Sequence, residues 1–242
     1  YPWADLHLVQ TRTTGDWLRR HCGARRQLLL PNPVVWPLPE HEPRLCPDDL
    51  LPADVPVLLA AGTKPHQKGF DRLIPVFSIL ARRFPELHLV VLGLSNQSKL
   101  GADHQARLRA QLGDTPELQR RLVMPGPVGN IAAWYERTTL FVLPSRFEGF
   151  PNVLLEAMAA GCTCIASDCL TGPADLIADG RNGRLLAHEA STNDWVCALD
   201  GLLRDPSQRR FLAAEACRVR QRFSEQRLRR DFLDALHRPS HG

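Results

Sequence analysis

The sequence predicts an α/β protein built on a doubly wound parallel sheet. Two observations indicate this fold. Beyond residue 56, short apolar runs alternate with amphipathic stretches, and the apolar runs are continuous instead of alternating with polar residues. Continuous runs are typical of strands buried on both faces, and the amphipathic stretches can form the helices of right-handed crossovers. Hydrophobic residues make up 44% of the 242 residues, which is enough to fill a large core.

The predicted elements follow in order along the chain. Strands are predicted at residues 6–10, 27–30, 57–61, 87–92, 122–124, 140–143, 164–167 and 184–186. Helices are predicted at 15–21, at 151–161, throughout the tail from about Ser191, and over a segment whose apolar face contains Phe70, Leu73, Ile74, Phe77, Leu80 and Ala81. Pro75 is tolerated only in the first turn or two of that segment, which leaves its start open by several residues.

A proline-rich segment divides the chain. Residues 31–56 contain eight of the twenty prolines, which exclude a continuous helix or a central strand there. We therefore predict a boundary, with residues 36–55 as a linker between residues 1–35 and a domain that spans residues 56–242. In such a domain, ligands bind beyond the carboxyl ends of the strands, where the strand order reverses. Loops with distinctive residues follow three strands, at 62–69, 93–97 and 144–152.

Charge and hydropathy exclude some classes of protein. A net charge of +4 gives no reason to expect binding to nucleic acid, although a phosphorylated ligand would be compatible with it. No apolar run approaches the length of a membrane span, so we expect a cytoplasmic protein that is at most peripheral to the membrane. Nine arginines between Arg204 and Arg230 favour a solvated helical face, and contact with acidic lipid is the alternative.

The seven cysteines include no C-x-x-C pair, which indicates reduced thiols. Three of them, Cys162, Cys164 and Cys169, have the spacing C-x-C-x4-C, which is unusual for zinc. We interpret these three as small apolar core residues and predict no metal site.

The stretch SRFEGFPNVLLEAMAAG at residues 145–161 suggests a ligand site at the start of a helix. Pro151 suits the first helical position and Gly161 suits the helix end. A helix start exposes backbone N–H groups that suit a phosphate. Glu148 before the helix and Glu156 within it would then accept hydrogen bonds from sugar and ribose hydroxyls. In the alternative interpretation, Glu148 is an exposed loop residue and Glu156 an ordinary helix former.

The loop at 62–69 reads GTKPHQKG. Its two glycines allow a close approach of the backbone, and its two lysines supply positive charge for a diphosphate. It matches neither the G-x-x-x-x-G-K-[ST] nor the G-x-G-x-x-G pattern, which argues against a kinase and a dinucleotide oxidoreductase.

Together, G-T-K-P-H-Q-K-G-F-D and P-S-R-F-E-G-F-P-N-V-L-L-E-A-M-A-A-G resemble the donor-binding domain of the retaining GT-B glycosyltransferases of family 4. The resemblance covers about residues 55–235, and residues 1–35 resemble the end of the family's amino-terminal acceptor domain. It implies the Rossmann-like carboxy-terminal half of a GT-B fold. It also implies a hexosyltransferase that moves a sugar with retention from a UDP- or GDP-sugar to a glycan or lipid-linked acceptor, in surface polysaccharide or lipid-linked glycan synthesis and without a cofactor or metal.

The resemblance also implies roles for individual residues. Lys68 would neutralise the donor diphosphate and Glu148 would bind the transferred sugar, and these two are the catalytic candidates. The donor site as a whole would contain Gly62, Thr63, Lys68, Val128, Glu148, Gly149, Phe150, Pro151, Asn152, Val153 and Glu156. Thr63 departs from the family pattern, which usually has an arginine there. Either Lys64 or Arg146 would supply the second charge, or donor affinity would be lower.

Other functional classes stay open on the sequence alone. Because the family's acceptor site belongs to the missing amino-terminal part, we assign no general base here, and we expect the fragment to bind donor with little transfer. The chain could instead be a nucleotide-sugar-binding module without catalysis. It could also be a GT-B epimerase or phosphorylase, which would release UDP or depend on phosphate without an acceptor.

Overall fold

Two parallel sheets organise the chain in the computed structural model, which describes residues 4–95, 97 and 99–237. β1 (His7–Val9) pairs with β2 (Gln27–Leu29). The second sheet contains β3 (Val57–Ala61), β4 (His88–Leu92), β5 (Leu122–Gly126), β6 (Leu140–Leu143), β7 (Cys164–Asp168) and β8 (Arg184–Ala187). All eight predicted strands are present, with ends that differ from the prediction by no more than two residues.

Helices connect and cover these strands. They are α1 (Arg12–Cys22), α2 (Pro65–Lys68), α3 (Phe70–Arg83), α4 (Lys99–Ala110), α5 (Pro116–Arg121), α6 (Ile131–Glu136), α7 (Asn152–Ala160), α8 (Pro173–Leu176), α9 (Thr192–Arg204), α10 (Pro206–Ala216), α11 (Val219–Arg222) and α12 (Glu225–His237), with a 3-10 turn at Pro47–Asp49. Asn96, which belongs to the predicted loop 93–97, lies outside the described residues.

The six-stranded sheet is parallel throughout and has the order β5-β4-β3-β6-β7-β8. The first strand of this sheet, β3, lies at its centre. The next two strands, β4 and β5, are added on one side of β3, and β6 is then added on the other side. The strand order therefore reverses between β3 and β6, and their carboxyl ends flank the crevice where such sheets bind ligands. This topology confirms the predicted doubly wound sheet.

Both faces of the central strands are buried. In β3, Val57, Leu59 and Ala61 pack into one core cluster, and Leu58 and Ala60 pack into the other. None of these five residues is more than 4% exposed. The continuous apolar runs of the sequence thus arise because helices or loops cover the sheet on each side.

Helix α3 confirms the predicted apolar face, since all six residues of that face are buried. The helix starts at Phe70 and continues through the exposed Pro75.

Helix α7 ends as predicted. Gly161 ends it in the left-handed conformation, with a φ of 87°. The predicted start of α7 was wrong by one residue. Pro151 has the non-helical ψ of 81° and is the cap, so the helix begins at Asn152.

The proline-rich segment is held against the six-stranded sheet. Leu38, Leu51 and Val55 are buried in the same core cluster as the first face of β3. The backbone N–H of His41 donates to the carbonyl oxygen of Gly129 at 2.9 Å, next to the end of β5. This segment therefore forms part of one wall of the domain that contains β3 to β8.

Most arginines of the helical tail contact the protein itself. The acceptors are carboxylates for Arg204, Arg218 and Arg227, a serine hydroxyl for Arg210, and backbone carbonyls for Arg209, Arg220 and Arg222. These seven side chains therefore have partners within the protein.

No helix in the described part of the chain has the length and apolar character that crossing a bilayer requires.

Candidate active site

The loops after β3 and β6 are joined where the strand order reverses. The backbone N–H of Arg146 donates to the carbonyl oxygen of Gln67 at 2.8 Å, and the Gln67 side chain donates to the carbonyl oxygen of Phe147 at 3.2 Å. Gly69 makes the close approach possible, because a Cβ on this residue would lie 2.1 Å from the carbonyl oxygen of Pro144. Only glycine fits there without moving one of the two loops.

An ion pair strengthens the same junction. The guanidinium of Arg146 donates to both carboxylate oxygens of Asp71, each at 2.7 Å. This bidentate pairing lowers the pKa of Asp71, chiefly through the hydrogen bond from Arg146. The charge of Arg146 is therefore balanced within the protein. Of the two residues considered as a replacement for an arginine at Thr63, only Lys64 is exposed.

Lys68 and Glu148, the two catalytic candidates, meet directly at this junction. The Nζ atom of Lys68 lies 2.7 Å from Oε1 of Glu148, and their side chains are 13% and 3% exposed. A third residue, Ser145, donates its hydroxyl to the same Oε1 at 2.6 Å. A charge-assisted cluster thus lies at the carboxyl ends of β3 and β6, as the loop positions in the sequence predict.

Gly62 leaves room for the side chain of Lys68. A Cβ at Gly62 would lie 2.7 Å from Cγ of Lys68 and 2.9 Å from its Cε. The methylene groups of Lys68 therefore pack against the backbone of Gly62, just beyond β3, in space that a side chain at residue 62 would occupy. This close packing explains why a glycine precedes the helical turn that carries Lys68.

The loop after β7 adds a third wall to the site. The Thr171 hydroxyl donates to the backbone carbonyl oxygen of Glu148, and Gly172 packs against the ring of Pro151. On the other side, Gly149 is exposed, and a Cβ there would meet nothing within 4 Å. The approach to the start of α7 is thus open at Gly149 and closed at Gly172.

Glu156 lies one helical turn beyond Asn152 on α7 and faces a separate part of the crevice. It lines a cavity of 190 Å³ together with Asn32, Leu38, Asn152 and others. The Tyr135 hydroxyl lies 3.4 Å from Oε2 of Glu156 and 3.1 Å from the carbonyl oxygen of Val153, so these two acceptors share its single proton. Burial raises the pKa of Glu156, and the hydrogen bond from Tyr135 opposes part of that effect. The structure shows no direct contact of Glu156 with the Lys68–Glu148 pair.

Replacing Glu156 with glutamine is expected to stabilise the chain at neutral and higher pH. Because the pKa of Glu156 is higher in the folded than in the unfolded chain, the folded state binds more protons, and its stability falls as the pH rises through this range. Glutamine removes this penalty. The melting temperature of Glu156→Gln should exceed that of the wild type at pH 8, and the two should converge as the pH approaches about 4. Glu189→Gln, at an exposed position, is the control and should show no such trend.

The other predicted donor-site residues are placed as follows. Thr63 is exposed on the loop after β3, and Val128 is half-buried on the loop after β5, where it packs against the core. Val153 is half-buried, and its carbonyl oxygen accepts from the Tyr135 hydroxyl at 3.1 Å. Phe150 is only 8% exposed, and its ring packs against that of Phe223. Its side chain is therefore part of the core.

Four residues of the site were not identified from the sequence: Ser145, Asp71, Tyr135 and Thr171. For Ser145 a signal was available, since it lies two residues beyond β6 and three residues before Glu148. Tyr135 could not be predicted from the motif at residues 145–161, because it lies on α6, outside that motif, and contacts Glu156 only in the folded chain. Such contacts depend on the packing of separate helices.

The cysteine cluster is buried, in line with its interpretation as core packing. Cys162, Cys164 and Cys169 are all at most 3% exposed. Burial and the nearby Glu148 raise the pKa of the Cys169 thiol to about 11. Within the described ranges, no three histidine, cysteine or acidic side chains are grouped so that they could hold a metal ion.

Comparison with known proteins identifies the family. The sequence profile of the family described as Glycosyl transferases group 1 matches residues 55–205, which include both loops of the site. The chain belongs to this family. The match confirms the predicted glycosyltransferase family at the level of group 1, whereas retention and family 4 stay predictions.

Curated relatives of this glycosyl transferases group 1 chain are longer than it is. The lipopolysaccharide 1,6-galactosyltransferase of Salmonella typhimurium is 36% identical over 211 residues, which cover 83% of this chain and 53% of the relative. A D-inositol 3-phosphate glycosyltransferase of Nocardioides sp. is 33% identical over 199 residues, with coverage of 78% and 43%. The chain thus spans about half the length of the curated relatives it matches.

Solved structures support the fold of the group 1 chain. A glycosyltransferase from Rickettsia africae superposes with a TM-score of 0.78 at 16% identity, and the match covers 96% of this chain and 64% of that protein. At this identity the similarity concerns the fold alone. It agrees with the predicted Rossmann-like carboxy-terminal half of a GT-B fold.

Proposed function

We propose that this chain is the donor-binding part of an enzyme that transfers a sugar, with retention, from a nucleotide diphosphate sugar to an acceptor hydroxyl. The observation that carries the proposal is the buried pair of Lys68 and Glu148 at the point of strand reversal, within a chain of the glycosyl transferases group 1 family. A cation and a hydrogen-bond acceptor lie side by side there. A diphosphate linked to a sugar requires both.

Each residue has a defined part in the proposed reaction. The bond between the anomeric carbon and the diphosphate oxygen breaks, a bond from that carbon to the acceptor oxygen forms, and the proton of the acceptor hydroxyl passes to the departing diphosphate. Negative charge then accumulates on the departing diphosphate, where Lys68 and the N–H groups at the start of α7 would stabilise it. Glu148 would accept hydrogen bonds from the sugar, and Glu156 would accept them from the ribose. We assign no cofactor or metal, because Lys68 supplies the positive charge and the sequence contains no Asp-x-Asp motif.

The relatives support a hexose donor and an acceptor in surface glycan synthesis. The Salmonella relative is named for galactosyl transfer to lipopolysaccharide, and a relative in Rhizobium leguminosarum is named as a lipopolysaccharide core mannosyltransferase. UDP-galactose and GDP-mannose are therefore the first donors to test. We extend the proposal to a glycan or lipid-linked acceptor, which the rest of the protein would bind.

Titration calorimetry on this chain tests donor binding. We expect UDP or GDP, and the corresponding sugar nucleotides, to bind with one preferred base. Lys68→Ala should weaken that binding about 10- to 100-fold, since hydrogen bonds between charged groups contribute about 1.5–3 kcal/mol. Lys99→Ala, at an exposed position on α4, is the matched control. A wild-type chain that binds none of these nucleotides would refute the proposal.

A further inference from the structure

Ser145 has a specific contact with the carboxylate of Glu148. It is completely buried, directly beyond Pro144 at the end of β6. Its hydroxyl donates to Oε1 of Glu148 at 2.6 Å, and Nζ of Lys68 contacts the same oxygen at 2.7 Å. Among the described residues, both side-chain contacts of this carboxylate are with Oε1. A serine hydroxyl has one proton to donate, and Ser145 donates it to Glu148.

Two contacts with one oxygen fix the orientation of the carboxylate. The terminal torsion of a glutamate is soft, so an isolated carboxylate rotates over a broad range. The hydrogen bonds from Ser145 and Lys68 are short and charge-assisted, and they approach from different loops. The carboxylate group is therefore held with Oε1 toward these two donors, which leaves the lone pairs of Oε2 for another donor.

The main chain of Glu148 is fixed as well. The Thr171 hydroxyl donates to its carbonyl oxygen, so the residue is held at both its backbone and its carboxylate. The side chain of Glu148 is only 3% exposed. Preorganisation of this kind lowers the cost of ordering the acceptor when a ligand binds.

We propose that Ser145 is a positioning residue that sets the selectivity of the site for a sugar nucleotide over the free nucleotide. It acts through Glu148, whose Oε2 accepts a hydrogen bond from a hydroxyl of the transferred sugar. The inference rests on the proposed function and deepens it, because it assigns to Ser145 the recognition of the sugar and not of the diphosphate. Lys68 acts on both parts of the donor, whereas Ser145 acts only on the sugar.

The ratio of two dissociation constants tests this role. For the wild-type chain and Ser145→Ala, calorimetry measures the binding of UDP and UDP-galactose, and of GDP and GDP-mannose. We expect the wild type to prefer one sugar nucleotide over its free nucleotide. In Ser145→Ala the affinity for that sugar nucleotide should fall about tenfold while the affinity for the free nucleotide is unchanged, since the carboxylate of Glu148 must then be ordered when the sugar binds. Unchanged nucleotide binding also shows that the variant is folded.

A matched substitution and three other outcomes make the test decisive. Ser78→Ala removes another half-buried hydroxyl that donates to a carbonyl in α3, and it should leave the ratio as in the wild type. A wild-type preference that Ser145→Ala retains overturns this inference alone. Equal binding of nucleotide and sugar nucleotide by the wild type also overturns it, because the site would then not recognise the sugar. Failure of the wild type to bind any of the four ligands overturns the proposed function, and this inference with it.

Discussion

Lys68→Ala in the complete enzyme is expected to lower glycosyl transfer about 100- to 1,000-fold. This is the range observed when an enzyme loses one preorganised group that stabilises charge in the transition state. Lys68 contacts Glu148 at the site and has three N–H donors, whereas both terminal nitrogens of Arg146 donate to Asp71. The measurement is the rate of transfer from the preferred sugar nucleotide at saturating donor. Wild-type turnover in this variant would remove Lys68 from the mechanism.

The same substitution has a structural effect that must be separated from catalysis. Glu148 is nearly buried, and removal of its cationic partner leaves an uncompensated charge, which costs about 3 kcal/mol or more in comparable buried pairs. The double variant Lys68→Met/Glu148→Gln removes both charges and should regain much of the lost stability. It should still be inactive. Recovery of transfer together with stability would show that Lys68 acts only through folding.

Gly69→Ala is expected to destabilise the chain more than any exposed substitution. The φ of Gly69 is 65°, and a Cβ would lie 2.1 Å from the carbonyl oxygen of Pro144, which is a backbone atom with little freedom to move. The left-handed conformation costs an alanine about 1–2 kcal/mol, and the collision adds to it. Relief requires that the loops after β3 and β6 separate, so the variant should lose nucleotide binding as well.

Gly113→Ala is the matched control for this effect. Gly113 has nearly the same φ, 61°, but a Cβ there would meet nothing within 4 Å. Denaturant titration of both variants therefore separates the cost of the backbone conformation from the cost of the collision. We expect Gly113→Ala to lose about 1–2 kcal/mol and to bind nucleotide normally. Equal losses in the two variants would mean that Gly69 and Pro144 do not hold the loops together.

Much of the fold and the centre of the site could be predicted from local patterns. The buried strands are continuous apolar runs because both faces of the sheet are covered. Lys68 and Glu148 are 80 residues apart in the sequence, but the reversal of strand order brings the ends of β3 and β6 together. The general rule for doubly wound sheets, together with the two motifs, was sufficient to place them at one site.

The remaining features depend on contacts that no local pattern encodes. The sequence left open whether Arg146 supplies charge to a ligand, because its ion pair with Asp71 on α3 could not be read from the motif. The packing of the Phe150 ring against Phe223, which follows α11, could not be predicted from the motif. The start of α7 was misplaced because Pro151 suits a cap as well as the first helical turn.

A structure of this chain with bound UDP or GDP tests the central claim most directly. The account predicts the diphosphate at the start of α7, within hydrogen-bonding distance of Nζ of Lys68, with the ribose toward Glu156. Binding of the nucleotide elsewhere would contradict it. One such place is the 660 Å³ cavity beside β5, lined by residues that include Arg109, Arg120 and Val123.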